Sequence, residues 1–252
     1  MFPIRDENPT LHASIATFLI IGANVAVWIF VQGLGMPPRL AASVCEYGVI
    51  AGELLGRVDP GTRVPIGEGL ACVLDGTPKW ATVITCMFMH GGWMHLIGNM
   101  WFLAVFGDNV EDAMGTIRFT IFYFLCGIAA VAAQVISDPT STIPMVGASG
   151  AIGGVMGAYA VLFPRAPVHM LVFLGFLITR IVVPAFLMLG YWFLLQLASG
   201  MVEPGGSGVA FWAHIGGFVA GLVLVPVFSN RKRLADCRGR RGRTRRIVRR
   251  YR

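Results

Sequence analysis

Charge is what this sequence has least of. Only 13% of its 252 residues are Asp, Glu, Lys or Arg, against roughly 25% in an ordinary soluble domain. With 56% hydrophobic residues and a mean hydropathy of +0.70, that shortage excludes a typical soluble fold and points to a polytopic membrane protein. Cysteine is sparse too. Five residues in no metal-type spacing exclude a zinc ribbon and a disulfide-dense scaffold. Cys45 and Cys72 share one hydrophilic stretch and can pair if it faces an oxidising compartment. Cys86 and Cys126 fall in apolar runs, and Cys237 falls near the C-terminus.

The charge that is present gathers at one end. Residues 231–252 hold twelve Lys or Arg and one Asp, a net +11, which leaves −4 for the other 230 residues. Such a segment is too charged to bury a core. An Arg cluster beside an apolar run reads as a cytoplasmic anchor on anionic lipid. Nucleic-acid binding is the disfavoured reading of the same tail.

Against this background the apolar runs stand out. A helix that crosses a bilayer needs about 20 mostly apolar residues. Six runs qualify: 13–31, 95–107, 117–136, 146–163, 181–197 and 210–228. The first lies too far from a basic n-region and lacks an A-x-A site, so it is not read as a cleaved signal peptide. Residues 168–178 are apolar but short and are followed by Arg180, so they read as an interfacial piece before the fifth span. The basic tail places the C-terminus in the cytoplasm, and an even number of spans places the N-terminus there too. Arg118, Arg165 and Arg180 fall on the same side, while the loops around Asp138 and Glu203 carry no Lys or Arg. The expected fold is an all-α membrane bundle of six transmembrane helices. Residues 1–12 form a cytoplasmic N-terminus, 13–229 the membrane domain with an external loop at 35–79, and 230–252 the basic cytoplasmic tail. The expected location is a cell membrane, the inner membrane of a bacterium.

Polar groups inside such spans are costly and usually face a partner or a water-filled cavity. Ser149 lies 15 residues before Pro164, His214 lies 15 before Ser229, and His95 lies 13 before Asp108. At 1.5 Å per residue all three sit roughly 20–23 Å above the inner boundary, a few ångströms below the outer surface. Ser149, Gly153 and Gly157 share one helical face; His214, Gly217 and Gly221 share another. Small residues at that spacing let helices approach closely, and if these faces meet, Ser149 and His214 meet with them. His95 and Asn99 share a face of the second span.

A serine hydroxyl becomes a nucleophile when an adjacent base takes its proton, and a neutral histidine does that. Donors aimed at the resulting oxyanion are available in the Asn99 amide, the His95 ring and the Ser149 backbone N–H. Gly147 and Gly150 let backbone and substrate come close. Residues 146–163 and 210–228 contain no Asp or Glu, so the set makes a Ser–His dyad rather than a triad. A rival use is a metal or ion path through His90, His95 and His214, which leaves Ser149 and Asn99 without a role.

The stretches "GASGAIGGVMGAY", "HGGWMHLIGNMWFLAVFGDNVED" and "AHIGGFVAGL" resemble the rhomboid family of intramembrane serine proteases, in family order, across about residues 80–228. The resemblance implies a six-helix bundle with a water-filled cavity open to the outside. It implies an endopeptidase that cleaves transmembrane segments of membrane-protein substrates through an acyl-enzyme, with no metal or organic cofactor. Ser149 then resembles the nucleophile and His214 the base, with His95 and Asn99 at the oxyanion. His90, Gly147, Gly150, Gly217 and Gly221 are implied to be structural, as is Glu111 at the inner end of the second span. A catalytically inactive relative that binds membrane clients is the alternative. One position departs from part of the family: where some members stack an aromatic ring on the histidine, four residues after the serine, this chain has Gly153. Holding His214 then falls to another side chain, from the second span, or to cavity water. The fifth span, with Trp192 and Phe193, is the expected gate.

Overall fold

The structure, a computed structural model, describes residues 2–67, 69–174, 177–202, 209–237 and 239. Most of the basic tail and the loop around Glu203 therefore lie outside the described residues. The chain opens with strand β1 (Phe2–Asp6) and helix α1 (Ile15–Phe30). A long connection follows, with α2 (Pro37–Tyr47), α3 (Ala51–Leu54), the hairpin β2 (Arg63–Gly67) and β3 (Leu70–Val73), and α4 (Thr82–Thr85). The rest is α5 (Trp93–Met114), α6 (Thr116–Ser137), α7 (Ser149–Leu162), the hairpin β4 (Pro167–Leu174) and β5 (Leu177–Pro184), α8 (Ala185–Val202) and α9 (Phe211–Phe228). The fold is mostly helical, as expected, and each long helix overlaps one expected span. By length and composition α6, α8 and α9 suffice to cross a membrane; α1 and α7 are apolar but shorter. The protein is an integral membrane protein.

Helix α7 is the axis of the bundle. It packs against α5, α6 and α9, and every residue from Gly150 to Tyr159 is buried. Glycines make this possible. A Cβ on Gly217 would overlap the Gly150 carbonyl, and one on Gly221 would overlap the Gly154 carbonyl. Helices α7 and α9 thus touch backbone to backbone. On the other flank a Cβ on Gly150 would lie 2.5 Å from the Ala130 Cβ of α6.

The buried acids at the end of α5 tie the bundle's lower end together. Helix α1 has no side-chain cap of its own. Instead Glu111 accepts hydrogen bonds from the backbone N–H groups of Ala16 (2.9 Å) and Thr17 (2.8 Å), and from the hydroxyls of Thr17 (2.8 Å) and Thr116 (2.9 Å). It satisfies orphan donors of α1 and puts negative charge at the positive end of its dipole. Asp112 accepts from the Leu11 N–H at 2.6 Å.

Two expectations need correction. Residues 168–174 and 177–178 are not an interfacial piece leading into a span; they are β-strand, part of the antiparallel pair β4–β5, and the fifth long helix starts at Ala185 rather than 181. Val168, Val172, Thr179, Ile181, Val182 and Val183 are β-branched and favour a pleated surface. Along β4, Val168, Met170 and Val172 are buried in alternation. The N-terminal residues supply the third strand: β1 pairs antiparallel with β4, giving the order β1-β4-β5.

In the long connection, Cys45 and Cys72 form a disulfide between α2 and β3. Lys79 bridges Glu53 (3.6 Å) and Asp75 (3.3 Å). Hydrogen bonds from the Thr77 hydroxyl and N–H hold the Asp75 carboxyl below its ordinary range. Partial burial works against the Lys79 charge, but Glu53 and Asp75 outweigh it and raise its pKa. An antiparallel bridge between Val49 and Met145 joins this connection to the segment that enters α7.

Candidate active site

Gly147 sets up the site. Its φ of +125° lies where only glycine sits without strain, and its N–H donates to the Cys86 carbonyl at 2.9 Å. The chain turns there, and α7 begins at Ser149 inside the bundle rather than at its edge. A side chain at Gly147 would come within 2.7 Å of His95 Nε2 and 3.4 Å of Ser149 Oγ. The missing Cβ keeps open the space between those two groups.

His214 enters from α9. The side chain of Gln134 on α6 accepts from the Ala213 N–H at 3.2 Å and so caps the start of α9. The glycine contacts between α7 and α9 then fix the rest. His214 Nε2 lies 2.8 Å from Ser149 Oγ, and His214 Nδ1 lies 2.7 Å from Gln196 Oε1 on α8. Both ring nitrogens are thereby engaged, so His214 is not offered to a metal alongside His90 and His95. The indole of Trp192, also on α8, covers the ring with centroids 5.9 Å apart.

His95 and Asn99 come from α5. His95 Nδ1 accepts from the Gly91 N–H at 3.3 Å. In the neutral ring this leaves the proton on Nε2, the nitrogen that faces Gly147 and Ser149. Asn99 is buried, and its amide nitrogen has no partner among the described residues. An unmet buried donor is costly, and this one lines a cavity of about 390 Å³ together with His95, Ser149, Trp192 and His214.

His90 stands apart from this set. It is fully buried, its ring meets that of His95 edge-on at 5.1 Å, and its backbone is clamped by Gln32. The Gln32 Nε2 donates to the His90 carbonyl and its Oε1 accepts the His90 N–H, each at 2.8 Å. Gly150, Gly217 and Gly221 lie at the α7–α9 and α6–α7 contacts, and Glu111 lies at the opposite end of α5.

The sequence reading missed three glutamines: Gln196, Gln134 and Gln32. The sequence pattern points to the second span or water to hold His214, whereas the contacts come from the fifth long helix, α8. A signal was present. Gln196 is the sole Asn or Gln between 181 and 202, and an amide in an apolar run needs a partner.

Comparison with known proteins points one way. The model of the Rhomboid domain matches residues 77–231, well over half of the chain. The chain is 31% identical over 159 residues to Rhomboid-like protein 11, chloroplastic, of Arabidopsis thaliana, covering 60% of this chain and 54% of that one. It is 30% identical over 213 residues to RHOMBOID-like protein 4 of the same plant, covering 80% and 49%. It is 32% identical over 145 residues to the rhomboid protease GluP of Bacillus subtilis (strain 168), covering 57% and 25%. The chain spans about half the length of these relatives, or less.

Proposed function

The chain belongs to the rhomboid family, and from that premise we propose that it is an intramembrane serine endopeptidase that cleaves transmembrane segments of other membrane proteins. One observation carries this reading: Ser149 Oγ lies 2.8 Å from His214 Nε2 on the wall of a cavity that also holds an unpaired amide donor. His214 accepts the Ser149 proton as Oγ attacks the scissile carbonyl carbon. The oxyanion that forms is met by the Asn99 amide, by His95 Nε2–H and by the Ser149 N–H, which as the first of α7 has no acceptor within its helix. As the intermediate collapses, the peptide C–N bond breaks and His214 returns the proton to the leaving amine. Water, deprotonated by the same nitrogen, then releases the acyl group from Ser149.

The disulfide in the long connection supports an arrangement with that connection on the oxidising side and both termini in the cytoplasm. The basic residues after α9 then face anionic headgroups.

The test is a fluorophosphonate probe on the purified protein in detergent, read by mass spectrometry. An adduct on Ser149, lost in His214→Ala, is the expected result. A folded protein that takes no adduct sinks the protease reading and favours a client-binding relative.

Asn99 gives a second expectation. Asn99→Ala should lower kcat by about 10- to 100-fold with little change in KM, below the loss of about 2.7–4 kcal/mol seen for a single oxyanion donor. Its melting temperature should hold or rise, because the amide removed is buried and unpaired. A falling melting temperature with an unchanged rate would assign Asn99 to packing.

A further inference from the structure

We infer that Gln196 is the positioning residue of His214, its Oε1 accepting the Nδ1 proton and so holding the one tautomer whose bare Nε2 can take the proton of Ser149. The inference rests on the protease reading for its consequence, but its geometry stands by itself.

Oε1 has lone pairs and no hydrogen, so a contact of 2.7 Å to Nδ1 requires the hydrogen to be on Nδ1. A neutral imidazole carries one N–H. With it on Nδ1, Nε2 is an acceptor, and it lies 2.8 Å from Ser149 Oγ. The opposite tautomer would aim Nε2–H at the hydroxyl and remove the base. A carboxylate does this positioning in a triad, but the titratable groups facing His214 are His95 from α5 and the Ser149 hydroxyl from α7. Helix α6 faces the start of α9 with neutral Gln134. The neutral amide sets the tautomer without adding a charge.

Position 153 cannot supply this restraint. A Cβ there would lie 2.9 Å from the His214 carbonyl oxygen, so there is no room for a ring between α7 and α9. Helix α8 serves from the other side. Trp192 and Gln196 are spaced i, i+4 and share a face; one covers the imidazole and the other accepts its proton. Helix α8 meets the bundle along one face. Its buried residues are Ala185, Met188, Leu189 and Gly200, and Tyr191, Leu194 and Leu195 are exposed. The competence of the dyad therefore depends on α8 being docked. Moving α8 outward by the length of a hydrogen bond frees the imidazole to turn over.

The test combines a spectrum with a rate. Nitrogen-15 NMR of the His214 ring reads the tautomer whether or not the protein cleaves anything. The wild type should show Nδ1–H, and Gln196→Met, similar in shape but without the acceptor, should show a mixture. In the same variant kcat should fall about five- to tenfold with KM unchanged. Gln196→Glu keeps an acceptor and adds a charge. It should recover the rate at alkaline pH while moving the acid limb of kcat/KM upward by about one pH unit, a shift that a packing role would not produce. Finding Nε2–H in the wild type overturns the inference at once, as does Gln196→Met at the wild-type kcat. Nδ1–H in a wild type whose Ser149 ignores the fluorophosphonate overturns the protease reading and leaves the positioning intact.

Discussion

Ser149→Ala is expected to lower cleavage of a transmembrane substrate by about four to six orders of magnitude, with the melting temperature almost unchanged. The size follows from the role: a nucleophile removed from a serine protease leaves only binding and oxyanion stabilisation, and elsewhere the loss in kcat is on the order of 10⁶. The small structural effect follows from the geometry. Alanine loses one hydroxyl, whose partner His214 Nε2 borders the cavity, and water can take up that acceptor. His214→Ala should do similar damage, because without its base Ser149 is a weak alcohol. The double variant should be no worse than either single one, since the two groups act as a unit. The measurement is single-turnover cleavage of a labelled transmembrane peptide in liposomes. A Ser149→Ala protein within tenfold of the wild type would remove Ser149 from the mechanism, and multiplying losses in the double variant would break the dyad into independent parts.

Much of this site was legible in the sequence because bilayer thickness and helix rise convert spacing into depth. Ser149, His214 and His95 fall at one level by counting, and the glycine faces say which helices can come close enough to bring them together. What counting cannot give is azimuth. Whether Gln196 looks at lipid or at His214 depends on how α8 is turned by its contacts with Phe218, met by Trp192 at 6.1 Å and by Phe193 at 4.9 Å. Those contacts join residues distant in the chain. The β-hairpin escaped for a different reason. A short apolar run between an apparent loop and a span fits a strand or a buried helical piece equally well by periodicity. Its strand character needed β1, which is some 160 residues away and pairs Phe2 with Leu171. The cysteines were equally undecided: spacing permitted a Cys45–Cys72 bond, and only the hairpin β2–β3 brings the two together.

The glycines that made the site legible also make it brittle, and Gly217→Ala should show it. A new Cβ there meets the backbone carbonyl of Gly150. A carbonyl cannot change rotamer, so α7 and α9 must separate. Overpacking of this kind typically costs about 1–3 kcal/mol, and more where only backbone can yield. The catalytic loss should exceed the stability loss. Gly150 is the neighbour of Ser149, and Gly217 is one helical turn from His214, so separation at this contact opens the 2.8 Å gap between Oγ and Nε2. A misplacement of about 1 Å costs roughly 100-fold. Gly217→Ala should therefore label with fluorophosphonate about 100-fold more slowly even in its folded fraction, with a clearly lowered melting temperature. Gly22→Ala is the control: nothing lies within 4 Å of a Cβ there, and alanine in a helix gains up to about 1 kcal/mol over glycine. A melting temperature lowered as much by Gly22→Ala as by Gly217→Ala would mean that chain propensity, not helix contact, sets the effect. Wild-type labelling by Gly217→Ala would mean that α7 and α9 tolerate separation, and that Ser149 and His214 are held together by something other than the glycine contact.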